Sequence, residues 1–189
     1  MGLATFKGGI HPYEGKELSM SKPVSVLQPK GEMVFPLSQH IGAPAKPLVA
    51  KGDHVLVGQK IGEPGGFISA CIISSVSGTV KSLEPRMVAN GAMVPSIIVE
   101  NDGMYETVEG FGEDRDPKTL SKEEIRNIVK EAGIVGLGGA GFPTHVKLTP
   151  KDESAIDTII VNGAECEPYL TSDYRMMLEE PEKIVGGLK

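Results

Sequence analysis

Lys51-Gly52-Asp53-His54-Val55-Leu56-Val57-Gly58-Gln59-Lys60-Ile61, followed by Ser74-Ser75-Val76-Ser77-Gly78-Thr79-Val80, decides how the first half of the chain folds. Each piece sets a short apolar run beside turn-forming residues. Lys51-Gly52-Asp53-His54 and Ser77-Gly78-Thr79 have the composition of tight turns. Outward from these lie Met33-Val34-Phe35-Pro36-Leu37, Pro47-Leu48-Val49-Ala50, Ile68-Ser69-Ala70-Cys71-Ile72-Ile73 and Ser96-Ile97-Ile98-Val99. Short strands so closely spaced predict a small β-sandwich or barrel over residues 29–100. Residues 1–28 are polar and irregular around Gly8-Gly9-Ile10-His11-Pro12. With Pro23 and Pro29 they predict an extended arm laid over another part of the protein.

Residues 101–120 are acidic and turn-rich, with Gly103, Gly110, Gly112 and Pro117, and read as a linker. From residue 121 the period changes. Ser121 and Glu124 make a capping box. Ile125, Ile128, Val129 and Ala132 form one helical stripe, and Gly133 is a helix stop. Asp157-Thr158-Ile159-Ile160-Val161-Asn162 predicts a strand buried in a parallel sheet. A helical pattern resumes near Ser172, and Pro181 can open another helix. Helix, loop, strand, loop and helix over 121–189 are the first part of an α/β domain. The fold class expected is therefore α+β, mixed: a β module followed by a truncated α/β domain. The helical pattern still running at Gly186-Gly187-Leu188-Lys189 predicts that the sequence continues in a longer protein.

Two loops carry the chemistry. Gly136-Leu137-Gly138-Gly139-Ala140-Gly141-Phe142-Pro143-Thr144-His145-Val146-Lys147 concentrates glycine, then adds a ring and a cation. Bare backbone can approach a ligand closely, and its N–H groups make a concave anion site. Lys147 adds a point charge for phosphate, and Phe142 offers a flat face. The stretch matches G-x-G-x-x-G, yet a helix precedes it and Pro143 follows it, so it is not the standard dinucleotide fingerprint. No Gly-Lys-Ser/Thr follows, so it is not a P-loop. The second loop, Gly163-Ala164-Glu165-Cys166-Glu167-Pro168, follows the expected strand. Asn162, Glu165 and Glu167 there can hydrogen-bond sugar hydroxyls or a ring edge. The two loops are expected to face one crevice.

Composition narrows the class. The 189 residues carry a net charge of −6, and no long basic run occurs, which argues against a nucleic-acid partner. Aromatics are only 5% and Trp is absent, so the core must rest on aliphatic residues. Cys71 and Cys166 form no CxxC pair, and His11, His40, His54 and His145 show no metal-ligand spacing. Cys71 reads as a core residue, and Cys166 is flanked by two carboxylates that disfavour a thiolate. No apolar run reaches the ~18 residues of a membrane span, and no secretory h-region opens the chain. A cytoplasmic setting is the expectation.

The order of pieces over 29–100 resembles the biotinyl/lipoyl-carrier type of barrel-sandwich hybrid. Carriers place a lysine at an exposed hairpin tip, where this chain has Pro64-Gly65-Gly66-Phe67. The resemblance thus implies the fold without the carrier chemistry. Residues 136–144 with Lys147 resemble the flavin loop of the NADH-binding subunit of respiratory complex I, and residues 161–168 resemble that family's second flavin/nucleotide loop. Together with Phe6-Lys7-Gly8-Gly9-Ile10-His11-Pro12 and the lysine-less module, they are similar to a narrower family. That family is the C-type subunit of Rnf-type ion-translocating ferredoxin:NAD oxidoreductase complexes.

This resemblance implies a Rossmann-like FMN- and NAD(H)-binding domain in a peripheral subunit on the cytoplasmic side of a bacterial membrane. Its partners would be the other subunits of that electron-transport complex, with ferredoxin reached indirectly. The [4Fe–4S] clusters would lie only in a C-terminal part that these residues do not include. Gly136, Gly138, Gly139, Gly141 and Lys147 would hold the flavin phosphate region, and Asn162 and Glu165 would contact the flavin. Phe142 would stack on nicotinamide or adenine, and Glu167 would bind the nucleotide. Complex I has an arginine at the place of Leu137 and an aspartate at that of Ala164, so two polar flavin contacts are lost. Hydride transfer between stacked rings needs no protein acid or base, in keeping with the lack of a Ser/His/Asp or Cys/His arrangement. Two other readings are a non-catalytic docking subunit and the flavin subunit of a soluble hydrogenase or formate dehydrogenase.

Overall fold

A computed structural model describes Gly8, Ile10 and residues 12–189, so Phe6, Lys7, Gly9 and His11 of the N-terminal motif lie outside the described residues. The chain divides into two units, one spanning Gln28–Glu153 and the other joining the residues up to Leu27 with Ser154–Lys189.

The larger unit is built on seven strands: β1 Glu32–Pro36, β2 Lys46–Pro47, β3 His54–Val55, β4 Lys60–Glu63, β5 Ile72–Ile73, β6 Gly78–Met87 and β7 Met93–Asn101. They pair antiparallel in a four-stranded sheet of order β1-β7-β6-β3 and a three-stranded sheet of order β2-β4-β5. Alternation sends Val80, Ile97 and Val99 inward, where they meet Phe35, Leu37, Val55, Ile61, Ile72 and Val76. The core is aliphatic apart from Phe35, as the composition requires.

β6 and β7 extend past the pieces legible in the sequence, because the hairpin continues through two prolines. Pro85 faces Pro95, and neither has an N–H. Such a pair must be non-hydrogen-bonded, with both nitrogens turned outward. β3 pairs β6 only at Gly78 and Thr79, so Pro85 sits where that flank is open.

The tip between β4 and β5 is folded back. Ser69 Oγ accepts the Gly65 N–H at 3.0 Å and donates to the Ala43 carbonyl at 2.8 Å. Buried His40 accepts the Ala70 N–H on Nε2 at 3.1 Å. Phe67 stands at the tip, 78% exposed. The stretch after β7 is stitched along the barrel. Val57 N–H donates to Glu106, and Val108 N–H donates back to Val57. Asp102 accepts from Ser77 Oγ at 2.6 Å and lies 3.2 Å from His54 Nε2.

Helix α1, Lys122–Glu131, opens on the expected capping box: the Glu124 N–H reaches Ser121 Oγ, and the Glu124 carboxylate accepts the Ser121 N–H. It ends in a Schellman motif, with Ile134 N–H to Val129 O at 3.2 Å and Gly133 N–H to Lys130 O at 3.0 Å. Gly133 has φ +66°, and a Cβ there would lie 2.5 Å from the Cys71 carbonyl. The helix end is thereby set directly on β5, and Lys60 Nζ fixes it from β4 through Glu131 at 2.5 Å. Short helix α2, Thr144–Lys147, follows the glycine loop.

The smaller unit holds α3 Ser172–Glu179, α4 Pro181–Leu188 and a 3-10 turn at Lys16–Leu18. Both helices begin where the sequence predicts. The strand expected at 157–162 is absent: the segment has no regular structure, and Ile159 and Ile160 are 71% and 85% exposed. The physical reason is pairing. An apolar run becomes a strand only when neighbours accept its backbone bonds, and among the described residues this unit contains no other strand. No described helix is long and apolar enough to cross a membrane.

Gly133→Ala tests the helix seat. It forces a side chain into the left-handed region at a cost of about 1–2 kcal/mol and presses it on the Cys71 carbonyl. Urea unfolding followed by far-ultraviolet circular dichroism is expected to show a lower midpoint at unchanged slope.

Candidate functional site

Backbone bonding turns residues 134–144 into a closed loop. Thr144 N–H donates to Ile134 O at 3.0 Å, Gly136 N–H donates to Phe142 O at 2.9 Å, and Val135 bridges Pro143. The apex 137–140 is a turn on the surface, with Leu137 94% exposed. Pro143 is fully buried at the base and is the N-cap of α2, whose single turn carries Lys147 back toward the loop. A Cβ on Gly136 would lie 2.6 Å from Lys147 Nζ, so glycine keeps open the space in which the ammonium rests. Gly141 lies on the turn below: a Cβ there would come within 3.0 Å of the Gln39 carbonyl. Gly139 has open space around it, and Phe142 is half-buried. Gly136, Gly138, Gly139, Gly141, Phe142 and Lys147 are thus gathered in one loop and the short helix after it, as bare backbone with the Lys147 ammonium close to Gly136.

Two further groups brace this loop. Arg126 on α1 donates from Nε to the Leu148 carbonyl at the end of α2, at 2.7 Å, and pairs with Glu153. Lys122 reaches the same carboxylate at 2.9 Å. These two cations, Arg126 above all, hold the Glu153 carboxyl at about 2. His145 on α2 has a buried Nδ1 with no hydrogen-bond partner among the described residues. Burial, and then the Lys130 charge, push its pKa down, against a backbone hydrogen bond to Phe67. No spacing rule joins residues 67, 126, 145 and 153, so the sequence gives no sign of either brace. Two grooves flank α1, of about 480 and 720 Å³, and neither is lined by residues 136–142. The glycine loop is an open surface feature.

The other predicted residues belong to the smaller unit. Asn162 accepts the Ala164 N–H on its side chain at 3.0 Å, forming an Asx turn. Glu165 accepts the Tyr174 N–H at 3.0 Å and so caps the first turn of α3, where Thr171 provides no side-chain cap. A carboxylate there also meets the positive end of the helix dipole. The Glu167 carbonyl lies 3.4 Å from Lys16 Nζ. Cys166 is exposed, whereas Cys71 is buried and its thiol pKa is raised by that burial. No group of three or more His, Cys, Asp or Glu residues able to hold a metal ion occurs among the described residues.

Comparison with known proteins bears on both units. Residues 4–104 match the RnfC barrel sandwich hybrid domain. The chain belongs to the RnfC family. Residues 129–189 match the Nuo51 FMN-binding domain, a stretch that contains both loops. The C-type subunit of the proton-translocating ferredoxin:NAD(+) oxidoreductase complex of Clostridium ljungdahlii is 45% identical over 187 residues, covering 99% of this chain and 41% of that relative. Its Na(+)-translocating counterpart from Acetobacterium woodii is 46% identical over 188 residues, covering 98% of this chain and 42% of that relative. The C-type subunit of an ion-translocating oxidoreductase complex of Haemophilus influenzae is 39% identical over 189 residues, covering 99% of this chain and 29% of that relative. The chain spans about two fifths of the length of the first two relatives. The expected barrel-sandwich hybrid and the FMN-binding likeness are therefore both found, in the expected order.

The Glu153 clamp has a definite acid dependence. Its carboxyl is held at about 2 in the fold, against 4.5 for the free group. Its stabilising contribution is complete above pH 4.5 and is lost as pH falls toward 2. Acid unfolding followed by circular dichroism is expected to begin at a higher pH in Glu153→Ala, and the two curves are expected to converge at the acid end.

Proposed function

We propose that this chain forms the FMN- and NAD(H)-binding portion of the C-type subunit of an ion-translocating ferredoxin:NAD oxidoreductase complex. The observation that carries this reading is the loop 136–147, which lies within the FMN-binding match and brings the Lys147 ammonium close to the Gly136 backbone. That donor set fits a phosphate group: backbone dipoles, one nearby cation, and no bulky side chain at Gly136, Gly138 or Gly139. Gly136, Gly138, Gly139, Gly141 and Lys147 would hold the phosphate region of FMN. Phe142 would stack on nicotinamide or adenine, Asn162 and Glu165 would contact the flavin, and Glu167 would bind the nucleotide.

Bound there, FMN would supply the chemistry, the acceptance of hydride from NADH and the release of single electrons. The chain's own part is to fix ring positions and exclude competing reactions. Electrons would pass to or from [4Fe–4S] clusters carried in the length that the relatives have and this chain does not span. Ferredoxin would be reached through other subunits, and the protein would sit peripherally on the cytoplasmic face of the membrane. The exposed apolar run at 156–161 gains a use under this reading, as a strand waiting for partners from the rest of the FMN-binding domain. The hybrid over 29–100, the connection over 101–120 and the cofactor domain from 121 onward would then be distinct functional pieces.

The test titrates FMN and NADH into the protein at the length of its relatives, beside two variants. Gly139→Glu places a carboxylate in the cradle and is expected to abolish flavin retention. Lys147→Gln removes a charge-assisted hydrogen bond and is expected to weaken FMN about tenfold. Equal flavin retention in all three proteins would remove this loop from the site.

A further inference from the structure

The segment 12–27 and the loop 165–171 lie about 150 residues apart in sequence, yet they are bonded together at several points within the smaller unit. The Tyr169 N–H donates to the Glu14 carbonyl at 2.6 Å. The Tyr169 ring lies against Gly15, so close that a Cβ on Gly15 would lie 2.3 Å from two of its carbons. Gly15 is buried and left-handed, at φ +61°. Tyr13 meets the same ring edge-on, with centroids 6.1 Å apart. Lys16 Nζ donates to the Leu170 carbonyl at 3.0 Å and the Glu167 carbonyl at 3.4 Å. Ser19 Oγ and the buried Thr171 Oγ1 share a hydrogen bond of 2.9 Å. Further along, the Val24 N–H reaches Glu179 at 3.0 Å, and Arg175 Nη1 donates to the Met20 carbonyl at 3.1 Å.

The loop that receives these contacts is strained. Tyr169 takes φ +69°, a region costly for a residue with a large side chain. Strain of this kind persists only where the surroundings hold it, and at Tyr169 they are supplied by residues 13–19. Lys16 alone is shared by two carbonyls, those of Glu167 and Leu170, that bracket the strained residue.

We infer that the segment around Gly15 and Lys16 is a latch that sets the conformation of the Glu165–Leu170 loop and thereby the position of its carboxylates toward the nucleotide. Gly15, Lys16 and Tyr169 are positioning residues in this scheme. The inference rests on the reading that Glu165 and Glu167 serve the cofactors. The segment accordingly acts as part of the nucleotide-binding unit.

The experiment uses the protein at the length of its relatives, with Gly15→Ala, Lys16→Gln, Lys16→Arg, Tyr169→Ala and the Gly15→Ala/Tyr169→Ala pair. NADH-driven reduction of ferricyanide gives KM and kcat, FMN content is read by fluorescence, and amide exchange reports on residues 165–171. Gly15→Ala and Lys16→Gln are expected to raise the KM for NADH about tenfold. FMN content is expected to fall with them, because the same loop carries Glu165, while kcat per bound flavin is expected to stay unchanged and the Tyr169 amide to lose protection. Lys16→Arg is expected to recover most of the loss. In the Tyr169→Ala background Gly15→Ala is expected to add little, because the ring it displaces is gone. Retained exchange protection of 165–171 in Gly15→Ala would overturn the latch. Lost protection with an unchanged KM would break its link to the nucleotide. A parent protein that binds neither FMN nor NADH would overturn the cofactor reading while the exchange data still judged the latch.

Discussion

The glycine loop depends on a backbone-to-backbone seat. The end of α1 comes down on β5 so closely that residue 133 has no room for a Cβ beside the Cys71 carbonyl. The Schellman turn at that point reverses the chain and aims residues 134–136 along the barrel. Lys60 holds the same helix end from β4 through Glu131. Everything downstream inherits this registration: the Val135–Pro143 bridge, the Gly136–Phe142 hydrogen bond and the ammonium of Lys147 close to Gly136. A half-buried helix with no fully buried residue could not fix a loop by apolar packing alone. Direct contact with a rigid sheet does so instead.

The barrel explains where that rigidity comes from. Its interior is a closed set of aliphatic side chains from both sheets, several with no exposed surface at all. At the place where carriers offer a lysine to solvent, this chain ties the Gly65 backbone down through Ser69 to the Ala43 carbonyl. The same end of the barrel then meets the glycine-loop region twice. Gln39 and His40 lie under Gly141, and the Phe67 backbone meets His145. A fold used elsewhere to swing a cofactor serves here as a fixed wall.

The hybrid was legible in the sequence because its signals are local. Turn glycines such as Gly52 and Gly78 and short apolar runs mark strands wherever the chain is cut. The cap at Ser121 and Glu124 and the stop at Gly133 were legible for the same reason. The extent of β6 and β7 was not, because a proline within a strand reads as a break until its partner strand is known. Ile159 and Ile160 misled in the opposite sense. Their apolar run is strand-like by composition, yet a strand is a relation between segments, and its partners are lacking among the described residues of this unit. For the candidate site, the residue types of the loop were plain, whereas its braces were invisible. Arg126, His145, Glu153, Gly15 and Lys16 act across separations that no periodicity encodes.

The pattern of ionisation argues for positioning over proton chemistry. Glu32, Asp102, Glu124, Glu153 and Glu179 all have lowered pKa values, held down by neighbouring donors or cations. Four of them tie one segment to another, Glu32 to Lys81, Asp102 to Ser77, Glu153 to Arg126 and Glu179 to Val24, and Glu124 caps its own helix through Ser121. No carboxylate among these is raised toward neutrality, as a general acid near pH 7 would need. Among the described residues, the one histidine with a resolved shift, His145 on α2, has its pKa lowered by burial and by Lys130, and its ring meets the Phe67 backbone. Charge in this protein therefore fixes geometry. That division of labour suits a flavin and a nicotinamide, whose exchange of hydride asks the protein for distance and orientation and for no proton of its own.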